Sequence, residues 1–523
     1  MKMYYFCLHE IILPPMRSLL LYICAFFLTI PIYAQAPSTQ ERISALADDA
    51  TFSQALVGIC ARTADGREIA NINAEKMFVP ASNMKLISTG AALHKFGTDF
   101  QYETSLAYSG EISEGVLYGN LYIIGGGDPT TGSKDSIATA IETTFGQWEA
   151  IIKSAEINKI EGYIIGDGKA FDGMAEEPTW LWNDIGTYYG TGATGLMFYE
   201  NMQSFSVSAG SEVGSPVNIS PSYPNVPWMT FIYDCTTGKA GTGDQLYMYT
   251  CDLAPTAVIR GTFGVDRSAK RLDCANKFPE LTCAHYFCEY LNRRGLRCTK
   301  GAADFKLKTE WMTNEIDSKE LSYIGSTFSP TLDRIAFETN HASNNLYAET
   351  LFRSLGREMH GSACYDSSYV AMNEVLKDLK LNTSKGIKIQ DGSGLSRQNY
   401  ASPDFFCSFL QAMMSSECFS DFISSLPSPG GNGTMQYNMK GQAASLRNRI
   451  KVKSGSMNGT RCYTGYILPS EYNTYTKDRF SELPDEVKNK TIVFSIMTNN
   501  CTSPTWKVRP LLDKIMIVLA EGN

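Results

Sequence analysis

Pro80-Ala81-Ser82-Asn83-Met84-Lys85-Leu86-Ile87 opens a stretch whose pattern turns helical, with Met84, Ile87, Ala91 and Ala92 in register and Gly97 as its stop. Side chains three apart on a helix share a face, so the Ser82 hydroxyl and the Lys85 amine can touch. A serine hydroxyl is a poor nucleophile until a base takes its proton. A lysine kept neutral by burial or by a neighbouring cation is such a base, and the helix N-terminus favours developing negative charge. No other serine in the chain is followed three positions later by lysine. Alone, the string is also what a capping serine before an exposed lysine would give.

Working outward, two further strings carry compatible chemistry. Ser343-Asn344-Asn345 follows His341 and precedes Leu346-Tyr347-Ala348-Glu349. Its hydroxyl and carboxamide, with one residue between them, suit a proton relay and a grip on a substrate amide; a helix N-cap has the same letters. Lys453-Ser454-Gly455-Ser456 follows Ile450-Lys451-Val452 in a strand-like setting. A strand edge there could pair with an extended peptide, Gly455 leaving room for its backbone and Lys453 and Ser454 meeting a carboxylate. Read alone it is an exposed strand with a turn. The order S-x-x-K, S-x-N, K-S-G changes these odds, being the trio of class A β-lactamases and penicillin-binding proteins. The step from 343 to 453 suits such a core, whereas the step from 82 to 343 is far longer and implies an insertion after the nucleophile helix.

Longer strings sharpen the likeness. Gly119-Asn120-Leu121-Tyr122 leads into Gly125-Gly126-Gly127-Asp128-Pro129-Thr130. Gly166-Asp167-Gly168, Trp182-Asn183-Asp184 with Tyr188-Tyr189-Gly190, and Asp391-Gly392-Ser393-Gly394-Leu395-Ser396-Arg397 follow. From about residue 45 to the C-terminus the chain resembles the D-alanyl-D-alanine carboxypeptidase/endopeptidase family of the penicillin-binding protein 4 type (serine peptidase family S13, class C low-molecular-mass penicillin-binding proteins). That resemblance implies an α+β fold, a β-lactamase/transpeptidase-like core of antiparallel sheet flanked by helices, with two nested insert domains, the inner one β-rich. The expected division is 1–36 leader, 37–98 and 318–523 catalytic domain, 99–199 and 271–317 first insert, and 200–270 nested insert.

The resemblance also implies roles. Ser82 attacks the carbonyl of the penultimate D-Ala of a peptidoglycan stem peptide, and Lys85 is its base, kept neutral in part by repulsion from Lys453. Ser343 passes the proton to the leaving amine, and Asn345 holds the substrate backbone. The backbone N–H groups of Ser82 and Ser456 form the oxyanion hole, and Ser454, Gly455 and Ser456 contact substrate. Asp184 and Arg397 fall where a diamino acid side chain of the stem peptide is read, although a surface Asp and a salt-bridging Arg are equally ordinary readings. Muropeptides are the implied substrates and β-lactams covalent inhibitors; no cofactor or metal is implied. The chain departs from the family at Asn344, where Asp is frequent, and at Ser454, which replaces the usual Thr.

The rest of the chain is consistent with a large secreted enzyme. Ala55 to Ala70 reads as a hairpin about Ala64-Asp65-Gly66, Phe100 to Ile124 as strands, and 200–270 as β-rich. Helical patterning returns at 280–294, 331–357 and 403–415; Thr491 to Met497 reads as a buried strand, and Trp506 to Ala520 as an amphipathic helix. Met16-Arg17, the apolar run Leu19 to Ile32 and Tyr33-Ala34-Gln35-Ala36 read as a secretory signal rather than a transmembrane anchor, the run being short and containing Pro31. An exported, periplasmic protein without a membrane anchor is expected. The formal net charge of −8 argues against nucleic-acid binding and offers no basic membrane patch. Disulfides are plausible among its 14 cysteines, and zinc near Cys283, His285 and Cys288 is a weaker reading. A Ser-His-Asp triad fits poorly, since His94, His285, His341 and His360 have no nucleophile-elbow serine. The rival functions are a β-lactamase or esterase on the same core, and a catalytically idle wall-binding protein. The sequence does not indicate an oligomeric state.

Overall fold

A computed structural model describes residues 37–305, 320–471 and 484–522; the expected leader and the division at 317/318 lie outside these residues. The sheet that carries the motifs has five strands in the order Glu68–Ile72, Leu56–Thr63, Ile492–Asn499, Thr460–Ile467, Ile450–Met457, antiparallel throughout. Its middle strand is buried at all eight positions because both faces are covered. Alternate side chains part to opposite faces of a strand. Val493 and Met497 accordingly enter the core shared with the helix Met84–Phe96 and the helix Pro403–Met413. Ile492, Phe494 and Ile496 enter the core shared with Ile43 and with Leu511 to Ala520 of the C-terminal helix Thr505–Glu521.

Local chemistry explains the ends of these elements. The first helix, Thr39–Ala47, starts on a capping box between Ser38 and Glu41. Pro403 opens its helix behind the cap Ser402, whose Oγ accepts from Phe405 N. The helix Met84–Phe96 stops at Gly97 with φ +81°, which glycine adopts without penalty. The long helix Asn345–His360 is buried from Leu346 to Gly356 and forms the spine of the catalytic part.

Between the first and second motifs the chain builds further sheets. Ala302–Asp304, Ile164–Asp167, Leu121–Gly125, Glu103–Tyr108 and Ser322–Phe328 form a mixed five-stranded sheet in that order, overlaid by the helices Ile141–Ser154 and Pro279–Arg293 through Phe145, Trp148, Ile152, Phe287 and Leu291. Two strands pair across the division expected from the sequence. Ser322–Phe328 joins Glu103–Tyr108 of the expected first insert, and Lys270–Ala275, which runs past the expected end of the nested insert, joins Met202–Ser208 within it. Strand partners far apart in sequence leave no local trace. The fold class is α+β, with six sheets among the described residues, one of them the antiparallel sheet expected for the core.

The 12 cysteines from Cys60 onward are free thiols, most of them buried. Cys283 and Cys288 lie within the apolar core beneath the helix Pro279–Arg293. Among the described residues no helix is long and apolar enough to cross a membrane.

Candidate active site

Ser82 lies on a single 3-10 turn, Ala81–Asn83, immediately before the helix Met84–Phe96. Ala81 holds the left-handed φ of +48°, which costs a residue with a side chain about 1–2 kcal/mol and persists only where surroundings enforce it. Asn83 Nδ2 donates to Thr464 Oγ1 at 2.7 Å, tying the turn to the sheet. On the other side Gly394 (φ +84°) packs so closely that a Cβ would stand 1.9 Å from the Ala81 carbonyl oxygen. Gly455 meets the turn from the outer strand; a Cβ there would fall 2.6 Å from the Pro80 carbonyl oxygen. The turn that carries Ser82 is thus pressed between two glycines that are distant from each other in sequence.

One consequence is measurable. Gly394→Ala must both occupy a left-handed φ and displace a backbone oxygen, so a loss of about 2–4 kcal/mol in stability is expected. Thermal unfolding and the rate of covalent labelling should both fall. Wild-type values for both would show that this contact does not hold the turn.

Lys85 is fully buried. Its Nζ contacts Ser82 Oγ at 3.2 Å, Asn345 Oδ1 at 2.6 Å and the Ser393 carbonyl oxygen at 2.7 Å. The last two partners can only accept, whereas a seryl hydroxyl can also donate. A neutral amine has two N–H bonds for the two acceptors and a lone pair left for the Ser82 proton. Burial supports that state, bringing Lys85 down from 10.5 to about 7, while Asp391 and Glu349 pull the other way. The sequence reading assigned part of this depression to Lys453. In the structure burial is the cause, and the repulsion acts on Lys453, whose amine is driven well below its usual value first by burial and then by Lys85.

Ser343 sits just outside the N-terminus of the helix Asn345–His360. The N-cap is its neighbour Asn344, whose side chain accepts from Tyr347 N. Ser343 takes a left-handed φ of +60° that turns its hydroxyl towards Lys453, whose Nζ donates to Ser343 Oγ at 2.9 Å and to the Ser454 carbonyl oxygen at 2.8 Å. Asn345 joins two parts of the site: Oδ1 accepts from Lys85 at 2.6 Å and Nδ2 donates to the Tyr189 carbonyl oxygen at 2.8 Å.

The strand Ile450–Met457 is the outermost of its sheet, paired on one side only. Ser454 Oγ contacts Thr434 Oγ1 at 3.1 Å, Gly455 is buried against the nucleophile's turn, and Ser456 is exposed. Ser82, Ser343, Asn345 and Ser456 line one cleft of about 750 Å³, together with Asp184 and Arg397. Asp184 accepts from Tyr189 Oη at 3.1 Å; burial pushes its carboxyl up while Arg397 pulls it down. Behind this cleft, Lys85 meets Ser82 and Asn345, and Lys453 meets Ser343.

Several neighbours were not singled out as site residues. Glu349 Oε1 accepts from Ser393 N at 2.8 Å and Oε2 from Gly392 N at 3.2 Å; burial, then Asp391, pushes its carboxyl up to about 8. Asp391 accepts from Gly394 N, Ser396 N, Asn399 Nδ2 and Trp180 Nε1, which moulds the loop under Lys85. The sequence carried one signal for Glu349: four residues beyond Asn345, it falls on the same helix face. His341 stacks on Phe337 with ring centroids 3.9 Å apart, and burial, with Lys451 and Lys453, holds it near 4 and neutral.

Comparison with known proteins agrees with this geometry. The profile of the D-Ala-D-Ala carboxypeptidase 3 (S13) family matches residues 39–513. A D-alanyl-D-alanine carboxypeptidase of Actinomadura sp. (strain R39) is 26% identical over 452 residues, 83% of this chain and 79% of that protein. A penicillin-sensitive carboxypeptidase A of Dictyostelium discoideum is 27% identical over 469 residues, 87% of this chain and 84% of that one. The crystal structure of penicillin binding protein 4 from Haemophilus influenzae superposes with a TM-score of 0.75 at 18% identity, covering 92% of this chain and 98% of that one. That likeness is one of fold.

Proposed function

The chain belongs to the D-Ala-D-Ala carboxypeptidase 3 (S13) family, and from that premise we propose that it is a penicillin-sensitive serine DD-carboxypeptidase and DD-endopeptidase acting on peptidoglycan stem peptides. Ser82 Oγ attacks the carbonyl carbon of the penultimate D-Ala as Lys85 Nζ takes the hydroxyl proton. The resulting oxyanion is held by the backbone N–H groups of Ser82 and Ser456. The C–N bond then breaks, Ser343 hands a proton to the leaving amine, and Lys453, which donates to Ser343, supports that transfer. Water hydrolyses the ester and frees Ser82. A terminal D-Ala leaves in the carboxypeptidase reaction and the amine of a cross-linked peptide in the endopeptidase reaction.

The observation that carries this reading is the meeting of three distant motifs, through Ser82 with Lys85 and Ser343 with Lys453, in one cleft. A β-lactam presents the same kind of carbonyl and forms the same seryl ester. Asp184 and Arg397, on the cleft wall, are read as the contacts for a charged side chain at the third stem-peptide residue. The protein is read as exported, and as built from a catalytic part with nested inserts; the composition of its sheets supports the second reading.

Purified protein should release D-Ala from a pentapeptide, split cross-linked dimers, and take up a fluorescent penicillin on the peptide that contains Ser82, as mapped by mass spectrometry. A chain that neither labels nor releases D-Ala would remove the proposal. Labelling and D-Ala release without action on dimers would remove its endopeptidase half.

A further inference from the structure

Ser343 immediately precedes the N-cap Asn344, and Asn344 is held from the insert. Asn344 Nδ2 donates to Glu200 Oε2 at 2.9 Å, and Glu200 Oε1 accepts from Ser133 Oγ at 3.0 Å. Ser133 Oγ in turn accepts from Tyr347 Oη at 3.1 Å. The insert thus grips the start of the helix Asn345–His360 at two points. Glu200 also lines the same cleft as Ser82 and Ser343.

The turn that presents Glu200 is unusual. Tyr199, Glu200 and Asn201 take successive left-handed φ values of +54°, +56° and +51°, although none is glycine. Such a run survives only where the surroundings over-determine it, and residues so held cluster where geometry matters to function. Tyr199 N donates to the Thr131 carbonyl oxygen at 3.0 Å and Asn276 N to the Asn201 carbonyl oxygen at 2.8 Å. Asn201 Nδ2 donates to the Gly192 carbonyl oxygen at 2.9 Å. The carboxylate offered to Asn344 is therefore on a rigid arm.

We propose that Glu200 is a positioning residue for the reaction: through Asn344 it fixes the left-handed turn that aims Ser343 Oγ at Lys453, and it requires an amide donor at position 344. The central residue of the second motif is then a coupling element between insert and catalytic part rather than a spacer, which accounts for Asn where Asp is frequent. An aspartate at this position would set two carboxyls against each other beside Asp135. Glu200 is already pushed up by burial and by Asp135, against the pull of Lys134, so a further negative charge there is disfavoured.

This inference rests on the Ser82 reading, and its test separates the two. Asn344→Asp should lower kcat for D-Ala release and the penicillin acylation rate by roughly 10- to 100-fold, the scale on which a misplaced catalytic group loses rate, with KM changed far less. Glu200→Gln keeps an acceptor for Asn344 and should lose about threefold or less. Combined with Asn344→Asp it supplies a donor to the new carboxylate and should recover most of the lost rate. If wild-type protein does not acylate, both readings fall. If wild-type acylates but Asn344→Asp matches it, or the double variant recovers nothing, the Glu200 proposal alone falls.

Discussion

Ser82→Ala should fold as the wild type and take no label from a fluorescent penicillin, with D-Ala release lower by roughly 10⁴- to 10⁶-fold. The effect is large because no other hydroxyl can take the role. Ser343 is the nearest alternative in function, and its oxygen is engaged by Lys453, not by Lys85, the amine that Ser82 meets. The fold should tolerate the change: the side chain is only partly buried, and its one hydrogen bond, to Lys85, is worth about 1 kcal/mol. Intact-mass spectrometry decides the matter, and an adduct in Ser82→Ala equal to that of the wild type would place the nucleophile elsewhere.

Lys85→Met is expected to lower acylation by about 10²- to 10⁴-fold, the usual contribution of a general base, with a second signature in pH. The base is the neutral amine, so wild-type acylation should rise with pH through about 7 and level off above it. Below that value the ammonium has no lone pair for the Ser82 proton. Without Lys85 this rise has no source and the residual rate should be flat across the same interval. Methionine fills similar apolar volume and removes a buried amine's desolvation, which offsets the stranding of Asn345 Oδ1 and the Ser393 carbonyl oxygen at about 1–3 kcal/mol each. A thermal midpoint close to wild type beside a collapsed rate would separate catalysis from folding. A wild-type pH profile retained in Lys85→Met would exclude it as the base.

The parts of the fold set by local chemistry were legible in the sequence. The hairpin about Asp65-Gly66, the Gly97 stop, the strand at Ile492 and the C-terminal helix are each signalled by residues within a few positions of one another. Strand partnership was not: Ser322–Phe328 and Lys270–Ala275 pair across the expected divisions because nothing in a strand names a partner that is distant in sequence. The site divides the same way. Ser82 with Lys85, and Lys453 with its glycine, show themselves as short strings. Glu349 and Asp391 are ordinary acidic residues until folding buries them under Lys85. At the second motif the helix-cap reading and the catalytic reading were offered as rivals, and the structure holds the geometry for both, with Asn344 as the cap and Ser343 facing Lys453.

The order of strands in the catalytic sheet governs when in its life the molecule can work. Leu56–Thr63 lies directly against Ile492–Asn499, so a ribosome must make almost the whole polypeptide before its opening strand finds its neighbour. Pairing over such a span is slow to nucleate because loop-closure entropy is lost before any contact is gained. The strand of the third motif, Ile450–Met457, pairs with Thr460–Ile467, and that strand pairs with Ile492–Asn499, so Lys453 is joined to the opening strand through the last one. A prematurely ended chain is therefore expected to be inert: without Ile492–Asn499, the strands Leu56–Thr63 and Thr460–Ile467 have no neighbour in common.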